Sequence, residues 1–283
     1  MIVAMHSVDV LVIGAGWTST FLLPLLQHSK ITYAATTTNG RDSTIPFTFD
    51  PSSSDPEPYT RLPSARTVLI TFPLKGTDQS LHLTSIYRKI HGNDNRWIQL
   101  GSTGIFEAPH WSDENSPYNT ENQRAVAEDE LLGLGGCVLN LAGLYGGARN
   151  PKTWLTRVAK SKEDVKGKKA LHLIHGTDVA RAIVAVHRHF TPGKRWLLTD
   201  LHVYDWWDLM DSWGKEVSDA DLEETAEAGQ RLQYQKWVGE LMFEGKVRAL
   251  PRGAEELGRV LDGRGFWGAM NIWPAMGSVI GNA

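Results

Sequence analysis

The sequence predicts an α/β fold in which helices cover both faces of a doubly wound parallel sheet, followed by a smaller C-terminal lobe. The chain of 283 residues opens on an apolar run, Val8–Ile13, that meets the turn Gly14-Ala15-Gly16 and continues into a helix-compatible segment. Further short apolar runs alternate with helix-compatible segments, an order typical of parallel sheets. Small and polar residues follow each run directly, at the carboxyl ends of strands where such sheets bind ligands.

The predicted elements follow one another along the chain. Strands are expected at residues 8–13, 31–37, 47–50, 68–72, 97–100 and 137–141, and helices at 81–90 and 122–132. The first helix contains Pro24, which lacks a backbone donor and is expected to kink the helix. The single cysteine, Cys137, begins the sixth strand and is expected to be buried rather than reactive.

The composition argues against nucleic-acid and membrane partners. A formal net charge of −3 and the lack of any long basic run do not suit a nucleic-acid surface. No apolar stretch approaches the roughly 18 residues of a membrane span, and the first residues do not resemble a secretory leader. We therefore expect a cytoplasmic protein. Residues 216–227 form an acidic, helix-compatible segment that is expected on the surface.

The glycine turn after the first strand indicates a dinucleotide site. Glycines in a strand–turn–helix unit let the backbone approach a diphosphate, and the N–H groups at the helix start face the anion. Gly14 and Gly16 supply the turn, Trp17 and Thr18 supply N–H groups, and Ser19 stands where the usual fingerprint has a third glycine. The alternative is a turn that uses glycine only for its backbone freedom.

The end of the second strand predicts NADP rather than NAD. An NAD site carries an acidic residue roughly 20 positions after the first glycine, where it binds the ribose 2′-hydroxyl. Residues 36–41 contain no acidic side chain, whereas Thr37 and Arg41 offer a hydroxyl and a guanidinium that suit a 2′-phosphate. NAD is the less favoured coenzyme, and a solvated loop position is the alternative for Arg41.

Four further motifs accompany the glycine turn over about residues 8–200. They are Asp50 after the short third strand, Leu100–Phe106, Leu141–Gly146 and Ile174–Ala180. The last three are similar to the patterns Ser-Ser-x-x-Val-Tyr-Gly, Arg-x-x-x-Val-Tyr-Gly-Pro and His-Val-x-Asp-Val-Ala. In this order they resemble the short-chain dehydrogenase/reductase superfamily in its extended, atypical form, which is related to NAD(P)-dependent epimerases and dehydratases. The resemblance implies a Rossmann fold.

The resemblance also implies roles for individual residues. Asp50 is expected to hold the adenine, and Phe72 and Pro73 to flank the nicotinamide side of the coenzyme. Ser102 occupies the position of the catalytic serine or threonine that binds substrate. The alternative for Ser102 is a strand-end hydroxyl that satisfies a nearby backbone group.

The catalytic pair Tyr-x-x-x-Lys of this superfamily is absent. Alignment of the helix after the fifth strand places Thr120 at the tyrosine position and Arg124 at the lysine position. Arg124 can hold ribose hydroxyls, but it stays protonated and cannot act as an ordinary proton donor. Thr120 and Gln123 have the spacing of a capping box, which predicts that Thr120 begins the helix.

Another acid must then supply a proton if a carbonyl is reduced. Tyr118 lies two residues before the altered position, and Tyr145 follows the sixth strand at the same edge of the sheet. His110, in the loop after the fifth strand, is a third candidate because histidine titrates near neutral pH. Each of the three also has a structural interpretation, and no metal site is predicted.

The predicted domains are a coenzyme-binding core and a substrate lobe. The core spans residues 1–150, with 170–200 returning to the sheet, and the lobe spans 151–169 and 201–283. Seven of the 11 tryptophans lie toward the C-terminus, at Trp196, Trp206, Trp207, Trp213, Trp237, Trp267 and Trp273. Most are expected to fill the core of the lobe, and any exposed to the substrate would suit a hydrophobic or planar ligand.

Several charged or titratable residues of the C-terminal half are given no catalytic role. Arg248, Arg252 and Arg259 fall in a helix-compatible tail. His175 and Asp178 are expected to start a helix, where Asp178 complements the helix dipole.

These observations favour an NADP-dependent oxidoreductase that acts on a small, partly apolar metabolite, with a homodimer as the expected assembly. One alternative is a non-redox isomerase, lyase or cyclase that uses the same pocket. Another is a regulatory protein that senses a nucleotide.

Overall fold

A computed structural model describes residues 7–215 and 226–280 of the chain. Its strands are β1 (Val8–Ile13), β2 (Tyr33–Thr37), β3 (Ile45–Pro46), β4 (Ala65–Ile70), β5 (Arg96–Ser102), β6 (Trp111–Ser112), β7 (Cys137–Leu141), β8 (Gly143–Tyr145), β9 (Ala170–Leu171), β10 (Leu173–His175), β11 (Arg195–Leu198), β12 (Tyr204–Asp205) and β13 (Val260–Leu261). Its α-helices are α1 (Ser19–His28), α2 (Glu57–Thr60), α3 (Gln79–His91), α4 (Gln123–Gly133), α5 (Leu155–Val158), α6 (Lys162–Lys166), α7 (Gly176–Arg188), α8 (Trp206–Lys215), α9 (Ala226–Gly245) and α10 (Arg264–Met270).

Seven strands form one parallel sheet in the order β3-β2-β1-β4-β5-β7-β11. The order reverses between β1 and β4, where doubly wound sheets open a crevice for ligands at the carboxyl ends of the strands. The predicted doubly wound parallel fold is confirmed. The three remaining pairs of short strands, β8 with β10, β9 with β12 and β6 with β13, lie outside this sheet.

Helices cover both faces of the sheet because alternate residues of each strand point to opposite sides. Val10 and Val12 of β1 belong to one buried cluster with residues of α1, α7 and α10. Leu11 and Ile13 belong to another buried cluster with residues of α3 and α4. The strands are therefore apolar on both sides, which accounts for the continuous apolar runs in the sequence.

The third strand is shorter and earlier than predicted at residues 47–50, whereas the other predicted strands are present with small shifts at their ends. β3 pairs with the end of β2 and stops before Phe47. The Phe47 ring lies 5.1 Å from the ring of Tyr59, and the Phe49 ring lies 6.0 Å from that of Phe72. The alternating phenylalanines thus anchor an irregular segment to the core instead of continuing a strand.

The predicted capping box at Thr120 and Gln123 is wrong. The N-cap of α4 lies two residues later, at Asn122, whose side-chain oxygen accepts from the Arg124 N–H at 3.0 Å. Asparagine is favoured over threonine at this position. Thr120 therefore precedes the helix and does not cap it.

The tail that carries Arg248, Arg252 and Arg259 is not helical, contrary to the prediction. α9 ends at Gly245, and only a short 3₁₀ turn and β13 precede α10. Pro251 lacks the backbone donor that a continuing helix would need. α1 continues through Pro24 to His28, and the kink expected at Pro24 stays a prediction.

Most of the C-terminal tryptophans fill buried cores, as predicted. Buried ones are Trp196, Trp206, Trp207, Trp213 and Trp267. Trp273 is 59% exposed, and Trp237 packs at the margin of its cluster. A separate cluster, formed by residues between 145 and 279, joins α8 and α9 to the segments around α5 and α6. The division into core and lobe stays a prediction.

The start of α7 has the structural role predicted for His175 and Asp178. His175 is the N-cap, and its Nδ1 accepts from the Thr177 N–H at 3.1 Å. Asp178 is buried and accepts from Arg181 at 2.8 Å and from the backbone N–H groups of residues 275–276. Asp178 therefore ties the C-terminal segment to the start of α7. Cys137 is also buried, as predicted.

The acidic segment predicted at residues 216–227 lies outside the described residues, except for its last two positions, which begin α9. Within residues 7–215 and 226–280, no helix is both long enough and apolar enough to cross a bilayer.

A buried ion pair links Asp205, at the end of β12, to Arg252 in the segment before β13. Arg252 donates through Nη2 to Asp205 Oδ1 at 2.6 Å and through Nε to Asp205 Oδ2 at 2.9 Å. Its guanidinium also lies 3.9 Å from the centre of the Trp207 ring. Asp205 in turn accepts from the Trp207 N–H at the start of α8, so the carboxylate has partners on both sides.

We expect Arg252→Leu to lower the free energy of unfolding by about 3–5 kcal/mol, because it leaves the Asp205 carboxylate buried without its cation. The matched control is Arg264→Leu, since Arg264 pairs with Asp262 while its side chain is 80% exposed. That change should leave stability nearly unaltered. Urea denaturation measures both, and equal effects of the two substitutions would contradict the assignment.

Candidate active site

In the glycine turn between β1 and α1, protein atoms pack closely against Gly14, whereas the space beside Gly16 is open. Gly14 has φ +93°, and a Cβ there would lie 2.9 Å from Phe72 Cδ1 and 3.0 Å from Thr71 Oγ1. A Cβ on Gly16 would meet only the Gly14 carbonyl oxygen, at 3.9 Å. The positive φ and the close contacts at position 14 both require glycine, whereas the space beside Gly16 is free for a ligand.

Three consecutive backbone N–H groups beside this space have no acceptor within the described residues. The Gly14 N–H donates to Thr36 Oγ1 at 3.0 Å. Within the described residues, the N–H groups of Gly16, Trp17 and Thr18 have no hydrogen-bond acceptor. They stand at the start of α1, whose first turn has no acidic residue. Such a helix start binds anions, and the open space fits the diphosphate of a dinucleotide.

Arg41 reaches from the end of β2 to the rim of this turn. Its Nη2 lies 3.5 Å from the Ala15 carbonyl oxygen. Thr37 ends β2, and its hydroxyl shares a hydrogen bond with Thr44 at 2.7 Å. Sequence reasoning missed Asp42, whose Oδ2 lies 3.8 Å from Arg41 Nε while both side chains remain largely exposed. A pair this exposed is weak and leaves the guanidinium available.

Phe72 and Pro73 follow β4 at the crevice, and Asp50 lies in the loop after β3. The Phe72 ring packs against Gly14, so it forms one wall of the turn. Asp50 accepts from the N–H and hydroxyl of Ser52 at 2.9 and 2.6 Å, and these bonds lower the pKa of the Asp50 carboxyl. The carboxylate is exposed and ionised near neutral pH.

Ser102 ends β5, and buried polar side chains hold its backbone. The Ser102 N–H donates to Glu128 Oε1 at 3.2 Å, and its carbonyl accepts from Asn140 Nδ2 at 3.0 Å. Arg195 donates to both Glu128 and Asn140. A Cβ on Gly101 would lie 2.5 Å from Glu128 Oε1, so any larger residue here would displace the Glu128 carboxylate from this network.

Glu128, Asn140 and Arg195 were missed by sequence reasoning. A signal was present in β7, where Asn140 interrupts a run that is otherwise apolar. A buried polar side chain needs a partner, which points to a polar residue on a neighbouring element. The sequence does not say which residue that is.

The Ser102 hydroxyl itself is at the crevice. Its Oγ accepts from the Gly104 N–H at 3.1 Å, and no acceptor for its own proton lies within the described residues. The hydroxyl can therefore donate to a substrate oxygen while the backbone stays fixed.

Tyr118 and Arg124 flank the same network on the α4 side. The Tyr118 hydroxyl donates to Asp129 Oδ1 at 2.7 Å, and the Arg195 guanidinium lies 4.6 Å from the centre of its ring. Burial, and then the bond to Asp129, raises the pKa of the Tyr118 phenol. Arg124 Nη2 lies 3.5 Å from the Leu100 carbonyl oxygen.

Tyr145 ends β8 and is buried. Its hydroxyl donates to the Gly277 carbonyl at 3.1 Å, and its ring lies 5.0 Å from that of His175. Burial, aided by the charges of Asp200 and Asp178, raises the pKa of the phenol above its ordinary range. His110 is exposed in its loop, as the structural interpretation predicts.

Asp200 is a buried carboxylate at this edge of the sheet that sequence reasoning missed. It follows β11 and accepts from the Tyr204 hydroxyl at 2.6 Å and from the His202 N–H at 3.1 Å. Burial raises the pKa of Asp200 from 3.8 to about 6. Nothing in the sequence pattern marks Asp200, because only the fold encloses it.

The described residues contain no cluster of three or more His, Cys, Asp or Glu side chains that could hold a metal ion.

Comparison with known proteins gives likenesses of structure only. No protein-family model matches the chain, and no curated protein matches its sequence. A conserved protein of unknown function from Silicibacter pomeroyi has a TM-score of 0.63 at 16% identity, over 96% of this chain and 95% of its own. The UDP-glucose 4-epimerase of Thermus thermophilus, in complex with NAD, has a TM-score of 0.60 at 14% identity, over 96% of both chains.

A third likeness is to RMD from Pseudomonas aeruginosa complexed with NADPH, with a TM-score of 0.53 at 14% identity over 73% of this chain and 83% of that one. These likenesses show that the chain has a Rossmann-like fold, which it shares with these proteins. The resemblance seen in the sequence motifs is confirmed at the level of the fold.

We expect Asp200→Asn to remove a pH dependence from stability. A folded-state pKa of about 6, raised from 3.8, means that the native state binds a proton the unfolded state has lost. Wild-type stability from this group is present below pH 3.8 and is lost as the pH rises through about 6. The free energy of unfolding of the variant, relative to that of the wild type, should therefore rise between these two pH values by on the order of 3 kcal/mol.

Denaturation at a series of pH values measures this difference. Asp94→Asn, a change at an exposed turn position, serves as the control. A constant difference between Asp200→Asn and the wild type across the range would show that the carboxyl titrates as it does in the unfolded chain.

Proposed function

We propose that the protein is an NADP-dependent oxidoreductase of the atypical short-chain type, which acts on a small, partly apolar metabolite without a Tyr-x-x-x-Lys pair. The observation that carries the proposal is the open glycine turn, in which Gly16, Trp17 and Thr18 present unbonded N–H groups. A cytoplasmic location and a homodimer are part of the same proposal.

The coenzyme would be held by residues on three sides of the crevice. The N–H groups of residues 16–18 would bind the diphosphate. Thr37 and Arg41 would bind the 2′-phosphate, since a guanidinium makes strong charge-assisted bonds to phosphate. Similar structures hold either NAD or NADPH, so the choice of NADP rests on Arg41.

Four residues would contact the remainder of the coenzyme. Asp50 would hold the adenine, Arg124 the ribose hydroxyls, and Phe72 and Pro73 would flank the nicotinamide. The bound coenzyme supplies a hydride acceptor or donor.

Ser102 is the residue that would bind the substrate carbonyl. Its proton is uncommitted, and Glu128 and Asn140 fix its backbone from both sides. A donor held in place before the substrate arrives stabilises developing charge on the carbonyl oxygen. Glu128 and Asn140 act through Ser102 and are positioning residues.

The redox reaction would need a proton donor, and two phenols stand near the site. Tyr118 and Tyr145 are the proposed donors. Each phenol donates a hydrogen bond to a protein acceptor, and the pKa of each is raised. A phenol of this kind stays protonated near neutral pH and must turn away from its partner before it can serve the substrate. Replacement by phenylalanine tests each one.

This observation favours a second candidate, an isomerase, lyase or cyclase that uses the pocket without net redox turnover. A nucleotide-sensing regulatory protein would need no proton donor at all. Absorbance of reduced nicotinamide, followed with a panel of carbonyl compounds, separates the candidates. Oxidation of NADPH supports the reductase, and tight binding without oxidation transfers support to the other two.

We expect Gly16→Ala to weaken NADPH binding by about tenfold or more while leaving stability unchanged. The new methyl group meets no protein atom closer than 3.9 Å, but it occupies the space that the diphosphate would take. Gly239→Ala, in α9, is the matched control, because a Cβ there also meets nothing within 4 Å. Fluorescence titration with NADPH measures the affinity, and an unaffected Gly16→Ala variant would refute the diphosphate site.

We expect Arg41→Gln to weaken NADPH by about tenfold or more and NADH by less than about twofold, because only NADPH carries the phosphate that Arg41 would bind. The control is Arg66→Gln, an exposed arginine at the amino end of β4, on the opposite edge of the sheet. Equal losses for the two coenzymes would argue against a 2′-phosphate role.

A further inference from the structure

We infer that a solvent-open cavity beside Trp17 binds an anionic group of the substrate, a carboxylate or a phosphate, through Arg149 and His175. This rests on the proposed function, in that it names the substrate class of the same site. The cavity has a volume of about 300 Å³ and opens between the turn after β8, the start of α7 and the C-terminal segment. Its lining includes Tyr145, Arg149, Asn150, His175 and Met276.

The cavity is joined directly to the glycine turn. The Trp17 indole N–H donates to the Gly146 carbonyl at 3.2 Å. Gly146 and Arg149 exchange backbone hydrogen bonds of 2.9 and 3.1 Å, which closes a tight turn over the indole. Gly146 has φ +105°, and a Cβ there would collide with the His175 ring. The turn is thus fixed against both Trp17 and His175.

Arg149 presents a cation at the mouth of the cavity. Its guanidinium lies 4.3 Å from the centre of the Trp17 ring, and stacking of this kind leaves the N–H groups at its edge free to donate. The side chain is exposed, and no carboxylate of the described residues lies within ion-pair distance of it. An arginine held by stacking is suited to a planar carboxylate or a phosphate.

His175 adds a neutral donor to the same cavity. Its Nδ1 accepts from the Thr177 N–H at 3.1 Å, which places the proton of the neutral ring on Nε2. Burial lowers the pKa of His175, although the charge of Asp178 opposes this, so the ring is neutral near pH 7. The ring also stands at the start of α7, a helix end that favours negative charge.

The charges around the cavity are compatible with an anion. The described lining contains no acidic side chain. The nearest carboxylate along α7, Asp178, is buried and already bound by Arg181 and by two backbone N–H groups of the C-terminal segment. Lys152 lines the cavity as a second cation, although it has an interaction of its own.

Two sources could supply such an anion, the substrate or the diphosphate of the coenzyme, because Trp17 belongs to both sites. The experiment therefore uses protein with and without saturating NADPH. Isothermal titration calorimetry at low ionic strength measures binding of benzoate and inorganic phosphate, with benzamide as the uncharged match for benzoate. The variants are Arg149→Gln and the control Arg157→Gln, an exposed arginine on α5.

We expect benzoate and phosphate to bind the NADPH-saturated protein, and benzamide to bind at least about tenfold more weakly than benzoate. Arg149→Gln should weaken both anions by about tenfold or more, leave the NADPH affinity within about twofold, and leave thermal unfolding unchanged. Arg157→Gln should match the wild type. Equal binding of benzoate and benzamide, or no effect of Arg149→Gln on the anions, overturns the inference.

The remaining outcomes separate the two proposals. If Arg149→Gln weakens NADPH as much as it weakens phosphate, and phosphate competes with NADPH, the anion belongs to the coenzyme and the substrate assignment is overturned. If the wild type binds no NADPH but binds benzoate in a manner that depends on Arg149, the proposed function fails and the anion site is supported.

Discussion

All seven strands of the main sheet run in the same direction, and this constraint brings the candidate site together. Each strand ends at one edge, so residues far apart in sequence meet there. Gly14 follows β1, Arg41 follows β2, Phe72 follows β4, Ser102 ends β5 and Asp200 follows β11. The reversal of strand order between β1 and β4 opens the crevice in which a coenzyme would lie. A mixed sheet would have divided these residues between two edges.

Charged side chains are buried below this edge of the sheet, where each is paired with an opposite charge. Glu128 and Arg195 are both buried, and burial of either charge without the other would destabilise the fold. Together with Asn140 they satisfy one another and bind both backbone groups of Ser102. A complete network of this kind is rigid, and it would hold the Ser102 hydroxyl in one direction if that hydroxyl binds the substrate as proposed.

The two phenols illustrate how tertiary contacts restrict chemistry. Tyr118 donates to Asp129 and Tyr145 donates to Gly277, and burial raises the pKa of each. The superfamily resemblance implies a tyrosine whose pKa a neighbouring lysine lowers, and these residues have the opposite environment. The fold therefore supports coenzyme and substrate binding more directly than it supports a particular proton transfer.

The sequence by itself determined the sheet and the glycine turn, because both depend on local patterns. Apolar runs fix the strands, and Gly14 and Gly16 mark the turn. The start of α4 was predicted wrongly at Thr120, because the spacing of a capping box did not reveal that Asn122 caps the helix. Only the tertiary structure decided the buried network around Arg195 and the cavity at Arg149. Both join elements that are separated by many residues, and a local sequence pattern does not indicate which side chains come into contact on folding.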